Sequence, residues 1–220
     1  MNHRDYKQFA AGEFFHIYNR GVGKMNIFRN KEDFNVFLSR LKENVFPESI
    51  DKSKLSKIDR KRKMLPPNSY DIVCYCLMPN HFHLLIKQLT DISISKLISK
   101  LCSSYSLYFN KKYDRVGALF QDQFKSVLIR TNEQLLWTSL YIHKNPLKAG
   151  LVENIEDYTW NSYLDYAGLK NDEMCKKEII LDQYHSSKEY LNQLRSEQLK
   201  NKLIAFADLF IDAYDDKDPR

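Results

Sequence analysis

YDIVCYCLMPNHFHLLIK, residues 70–87, is the stretch whose reading decides the fold. Two runs rich in β-branched and aromatic residues flank the turn dipeptide Pro79-Asn80, a pattern that predicts two antiparallel strands across a tight turn. The first strand takes SYDIVCYCLM, and the second takes HFHLLIK. Upstream, FFHIYNR at 14–20 ends at Gly21 and predicts another strand. Asn30 with Asp33 three residues on predicts a capped helix, in which Phe34, Phe37, Leu38 and Leu41 share one face. Downstream, Ile94, Leu97, Ile98, Leu101, Tyr105, Tyr108 and Phe109 form one stripe on a helix from about Ile92 to Asn110. A fourth strand follows at Phe124–Ile129. The order β-α-β-β-α-β predicts an α+β, ferredoxin-like antiparallel sheet with both helices on one face and the other face free.

Beyond this unit, Thr131 is placed to cap a helix through Leu135, Leu136 and Leu140, stopped by Pro146 and Gly150. A loop with Tyr158, Trp160, Tyr163 and Tyr166 leads to a last helix over roughly residues 187–214. The expected organisation is a core over residues 1–130 and a helical C-terminal extension over 131–220 packed on it.

Composition narrows the function classes. Of 220 residues, 43% are hydrophobic and 28% charged, enough apolar mass for a sizeable core. The longest apolar run, Ile72 to Met78, is seven residues, against the ~18 a membrane span needs. No signal-like apolar segment opens the chain, and the four cysteines match neither a disulfide framework nor a paired zinc motif. A cytoplasmic protein with reduced thiols is expected. The formal charge is +6, and seven bases against two acids crowd Asp51–Met64, while the C-terminal end is acidic. The basic stretch reads either as a solvated loop insertion or as a contact with a polyanion.

The sharpest chemical feature is His81-Phe82-His83. Side chains two apart on a strand share a face, so both imidazoles can reach one divalent cation with open positions. The plainer alternative is two histidines hydrogen-bonded at a sheet edge. Tyr105 and Tyr108 are either core aromatics of the helix stripe or, if the histidines project toward the helices, phenols beside a metal. A dication favours the phenolate, and that pairing suits phosphoryl transfer.

The chain resembles the HUH single-tyrosine transposases, and among them the REP-associated tyrosine transposases. The resemblance rests on FFHIYNRG (14–21), YCLMPNHFHLL (75–85), SYSLYFNKKYDRVGALFQDQFKS (104–126) and YIHKNPLKAGLVENIEDYTWNSY (141–163). It implies an enzyme of DNA transposition: an endonuclease and transesterase that nicks and rejoins single-stranded, hairpin-flanked DNA through a 5′-phosphotyrosine link. It implies Mg²⁺ or Mn²⁺ on His81 and His83, with Tyr105 as nucleophile and Tyr108 as the alternate. Many relatives carry a third ligand, often Gln, four residues after the tyrosine. Here that position is Phe109, so Asn110 is the substitute, ahead of Gln121 and Gln123. Arg20 is either a phosphate contact or a solvated strand end, and Lys111, Lys112, Arg115 and Lys125 can track a DNA backbone. The expected partner is single-stranded DNA, with no membrane, in a monomer or homodimer of the bacterial nucleoid. Trp160 and His143 are assigned to packing.

Two other classes use this framework. RNA-recognition domains have the same element order and stack bases on sheet aromatics, but HFHLLIK lacks the Gly-flanked aromatic pattern of their central strand. A domesticated, non-cutting relative is the other, and the intact histidines and tyrosines argue against it.

Overall fold

The computed structural model describes residues 9–50 and 64–196. Most of the basic stretch and the acidic C-terminal end lie outside the described residues. Four strands, β1 (Phe14–Arg20), β2 (Tyr70–Met78), β3 (His81–Gln88) and β4 (Lys125–Ile129), form one sheet in the order β2-β3-β1-β4. Every neighbouring pair is antiparallel. With α1 (Lys31–Val45) between β1 and β2, and α2 (Ile94–Lys112) between β3 and β4, this is the expected ferredoxin-like α+β plan.

Local chemistry accounts for the elements. Asn30 and Asp33 close a full capping box at the start of α1. Ser93 caps α2, and the buried Gln88 side chain accepts from the Ile94 amide, tying that helix to the end of β3. Phe15, Ile17, Phe82, Leu84 and Ile86 point to one face, where they pack with Phe37, Leu41, Leu97, Leu101 and Tyr105. The Pro79-Asn80 turn is clamped from outside: Pro79 O accepts from the Ile27 and Phe28 amides, and Asn80 O from the Gly21 amide. A Cβ at Gly21 would lie 2.3 Å from Met25 O and 2.8 Å from Ile27 Cγ2, so the close approach requires glycine there.

The second face is not free. A third helix, α3 (Asn132–Lys148), and short helices α4 (Tyr163–Tyr166), α5 (Glu178–Leu181) and α6 (Ser187–Arg195) belong to a second core with Val73, Cys74, Cys76, Met78 and Leu85. A bulge between Ile72 and Cys74 turns both Val73 and Cys74 to this side. The outer edge of β2 is also covered. Leu77 N donates to Trp160 O, Ser162 N to Tyr75 O and Lys176 N to Ile72 O, while the hydroxyls of Tyr158 and Tyr166 donate to Leu77 O and Val73 O.

Two boundaries differ from expectation. Pro146 lies inside α3 and does not stop it: the helix forfeits the ladder bond its amide would make and runs on to Lys148 before the chain turns at Gly150, with φ +65°. The last described helix ends at Arg195, where Ser196 is extended; the remainder of the expected span to 214 lies outside the described residues. Among the described residues no helix is long and apolar enough to cross a membrane, and all four cysteines are free thiols.

Candidate active site

Register places the site. On β3, His81 and His83 alternate with Phe82 and Leu84, whose side chains fill the helix-side core, so the histidines face the other way, toward α3. Directly opposite on β1, Arg20 pairs with His81 and Tyr18 with His83. On β2, Met78 and Cys76 flank them, and on β4 Lys125 lies across from Tyr18. Cross-strand partners share a face, so these residues make one patch.

The two imidazole rings lie 4.9 Å apart, perpendicular to each other. His83 is fully buried, and burial with the neighbouring His81 and His16 pushes it well below the usual imidazole range, so the ring is neutral. Its Nδ1 is 3.0 Å from His16 Nε2, while its Nε2 is buried with no hydrogen-bond partner among the described residues. His81 Nδ1 meets the Asn80 side-chain oxygen at 2.6 Å and keeps 8% exposure, at the more open end of the patch.

Above this patch stands Tyr141 of α3. Its ring meets His83 edge-on at 5.5 Å and His16 at 6.0 Å, and the Lys148 ammonium lies 5.9 Å from its centre. One turn later on the same helix face, Asn145 donates from Nδ2 to Tyr141 O at 2.9 Å. The two imidazoles fit a divalent cation: His83 is neutral with an orphaned buried nitrogen, and His81 lies beside it. No cluster of three or more His, Cys, Asp or Glu side chains suited to a metal occurs among the described residues, so a third protein donor would be of another type.

The expected tyrosines are elsewhere. Tyr105 is fully buried on the opposite face of the sheet, its hydroxyl donating to Ile27 O, with its ring against Phe28 and Phe37. Burial, and then the Asp33 carboxylate, push its ionisation far above the usual phenol value. Tyr108 donates to Asp33 Oδ1 at 3.0 Å and accepts from Lys112 at 2.9 Å, also on the α1–α2 side. The expectation that the histidines project toward these helices is corrected. The apolar Phe82, Leu84 and Ile86 take that face because it carries the larger core.

Asn110 is likewise remote, its side chain bonded to Gly117 O and Arg115. Gln121 and Gln123 are exposed on the loop before β4. Of the expected DNA-contacting cations, Arg20 and Lys125 share the histidine face. Lys111 and Lys112 end α2 on the far side, with Arg115 just beyond it, and Lys112 is committed to Asp33 and Glu32 at 2.7 and 2.8 Å. Trp160 stacks on Phe34 at 4.5 Å. His143 is buried between Tyr190 and Ser162, at 2.7 and 2.8 Å, and burial pushes it down to about 3. The fold also brings Tyr141, His16 and Tyr18 to His83, with Asn145 one turn along from Tyr141, residues the sequence reading does not single out. The available signal was the failed spacing at Phe109: a tyrosine with a side-chain oxygen donor four residues on occurs at Tyr141 and Asn145.

A ferredoxin-like sheet with paired histidines on one face, beneath a helix-borne tyrosine, defines an α+β class with a candidate phosphoryl-transfer centre. The IS200-like transposase family matches residues 35–145, half of the chain, and the protein belongs to that family. A Haemophilus influenzae protein assigned as a REP-associated tyrosine transposase is 27% identical over 107 residues, covering 43% of this chain and 59% of that relative's length. The structure of a REP-associated tyrosine transposase bound to a REP hairpin shares the fold, with a TM-score of 0.50 and 12% identity, over 77% of this chain and 94% of that one.

Proposed function

We propose that this protein is a metal-dependent transesterase of DNA transposition that cuts and rejoins single-stranded DNA through a 5′-phosphotyrosine link, with Tyr141 as the nucleophile. One observation carries the reading: Tyr141 is the tyrosine whose ring meets His83 edge-on from the helix packed over the His-x-His strand. Family membership and a hairpin-bound relative of the same fold support DNA, with a hairpin near the cut, as the substrate.

His81 and His83 would hold Mg²⁺ or Mn²⁺, with the Asn145 side-chain oxygen as the third donor. The Asn145 amide nitrogen is turned to its own helix, and the spacing from Tyr141 is the four residues the resemblance calls for. The bound cation supplies Lewis-acid polarisation of the scissile phosphate. Tyr141 attacks the phosphorus; the P–O3′ bond breaks, the 3′ oxygen leaves as a hydroxyl with the proton the phenol gives up, and the 5′ phosphate stays on the tyrosine. No water is consumed, so the 3′-OH can reverse the step. Arg20 and Lys125 lie on the same face and would hold flanking phosphates. Tyr141 is 1% exposed, so its hydroxyl has to become accessible before a phosphate can meet it.

The test uses single-stranded hairpin DNA labelled at its 3′ end, Mn²⁺ and a denaturing gel. The wild-type chain, Tyr105→Phe and Tyr108→Phe should form a denaturation-resistant adduct, and Tyr141→Phe should not. An adduct that survives Tyr141→Phe and disappears with Tyr105→Phe sinks the assignment.

A further inference from the structure

His16 has no part in the chemistry above, yet its imidazole is built into the site. It projects from β1 on the histidine face and is fully buried, and its ring stacks beside that of His83 with centroids 5.2 Å apart and planes 20° apart. Nitrogens 3.0 Å apart share one proton, and the separation alone does not say which ring carries it. The far side of the His83 ring does. There Nε2 is buried with no hydrogen-bond partner among the described residues. If His16 donated, His83 would carry its own proton on that nitrogen, a buried N–H with no acceptor. If instead His83 donates from Nδ1 to His16 Nε2, the orphaned atom is a lone pair, which is the form of a neutral imidazole that binds a cation.

We infer that His16 is a positioning residue for His83: it accepts the Nδ1 proton, fixes the tautomer and ring orientation, and presents Nε2 as the donor to a divalent cation. Outer partners of ligating histidines are usually carboxylates or carbonyls. A neutral imidazole does the same orienting work without bringing a negative charge into the fully buried space around it. The inference rests on the reading of His81 and His83 as a metal site.

The tautomer can be read directly by long-range proton–nitrogen correlation on the ¹⁵N-labelled full chain, and cation binding by Mn²⁺ titration followed by electron paramagnetic resonance. Wild-type His83 should be protonated at Nδ1. His16→Leu removes the acceptor and should give mixed or reversed tautomers, with Mn²⁺ affinity down roughly 10–100-fold. His16→Gln keeps an acceptor oxygen and should retain the tautomer and most of the affinity, a rescue that a merely space-filling role does not provide. A wild-type His83 protonated at Nε2 overturns the inference, and that measurement stands even if His16→Leu does not fold. So does a folded His16→Leu with unchanged tautomer and affinity. Mn²⁺ uptake indifferent to His81→Ala overturns the metal reading and the role of His16 with it, whereas an Nε2-protonated His83 beside intact uptake overturns His16 alone.

Discussion

Tyr105 and Tyr141 are both buried, but on opposite faces of the sheet. Tyr105 donates to a backbone carbonyl inside the core between α2 and the sheet, so its hydroxyl is a structural group. Tyr105→Phe keeps the ring and orphans Ile27 O, which should cost about 1–3 kcal/mol in urea unfolding while leaving DNA adduct formation in place. The cations differ in the same way. Lys112 is held by Asp33 and Glu32, while Lys125 is exposed on the histidine face. Lys125→Ala together with Arg20→Ala should flatten the salt dependence of single-strand binding by roughly 0.7 in logarithmic slope per lost contact. Lys112→Ala should leave the slope unchanged. Equal slopes for both sets would place the DNA backbone elsewhere.

At the level of elements, the start of α1 and the end of α2 are joined by one carboxylate. Asp33 is fully buried and accepts from Lys112, Tyr108, Tyr113 and the Arg29 amide. Burial alone would raise its ionisation, but Lys112, the Arg29 amide and the two phenols together outweigh that and hold it below the usual carboxylate value. A depressed folded value contributes stability that is present above the unfolded value of about 3.9 and is lost as pH falls through the folded one. Asp33→Asn should therefore lower stability by on the order of 1–3 kcal/mol at neutral pH, with the gap to wild type closing below about pH 4. A gap independent of pH would remove this carboxylate as its source. Such a site was legible as a cap from Asn30 and Asp33, but not as a junction between helices, because Lys112 and Tyr113 lie about 80 residues further on.

For the whole molecule, the segment after β4 supplies the layer that covers the second face of the sheet. Residues 132–194 cover Val73, Cys76, Met78 and Leu85, and residues 160–176 satisfy the carbonyl edge of β2. A fragment ending at residue 130 bares that face and edge and lacks Tyr141. It should aggregate or stay unfolded, as gel filtration and circular dichroism of 1–130 would reveal. A soluble, cooperatively folding fragment would restore the boundary expected near residue 130. Covering the face also removes the open surface on which RNA-recognition domains stack bases.

Period-two alternation, the Pro79-Asn80 turn and the Asn30 and Thr131 caps are local properties, so the sequence alone determined the strands, the helices and their order. It also placed His81 and His83 on one face, because alternation along a strand needs no partner. It could not say which face. Both sets of alternate residues on β3 are compatible with burial, and the choice is made by which layer packs against each side. That layer is set by contacts between segments far apart in the chain, such as His83 with Tyr141 and Tyr75 with Ser162. Tertiary structure alone therefore moved the candidate nucleophile from Tyr105 to Tyr141 and brought His16 against His83, since ring contacts between distant segments leave no periodic trace in the chain.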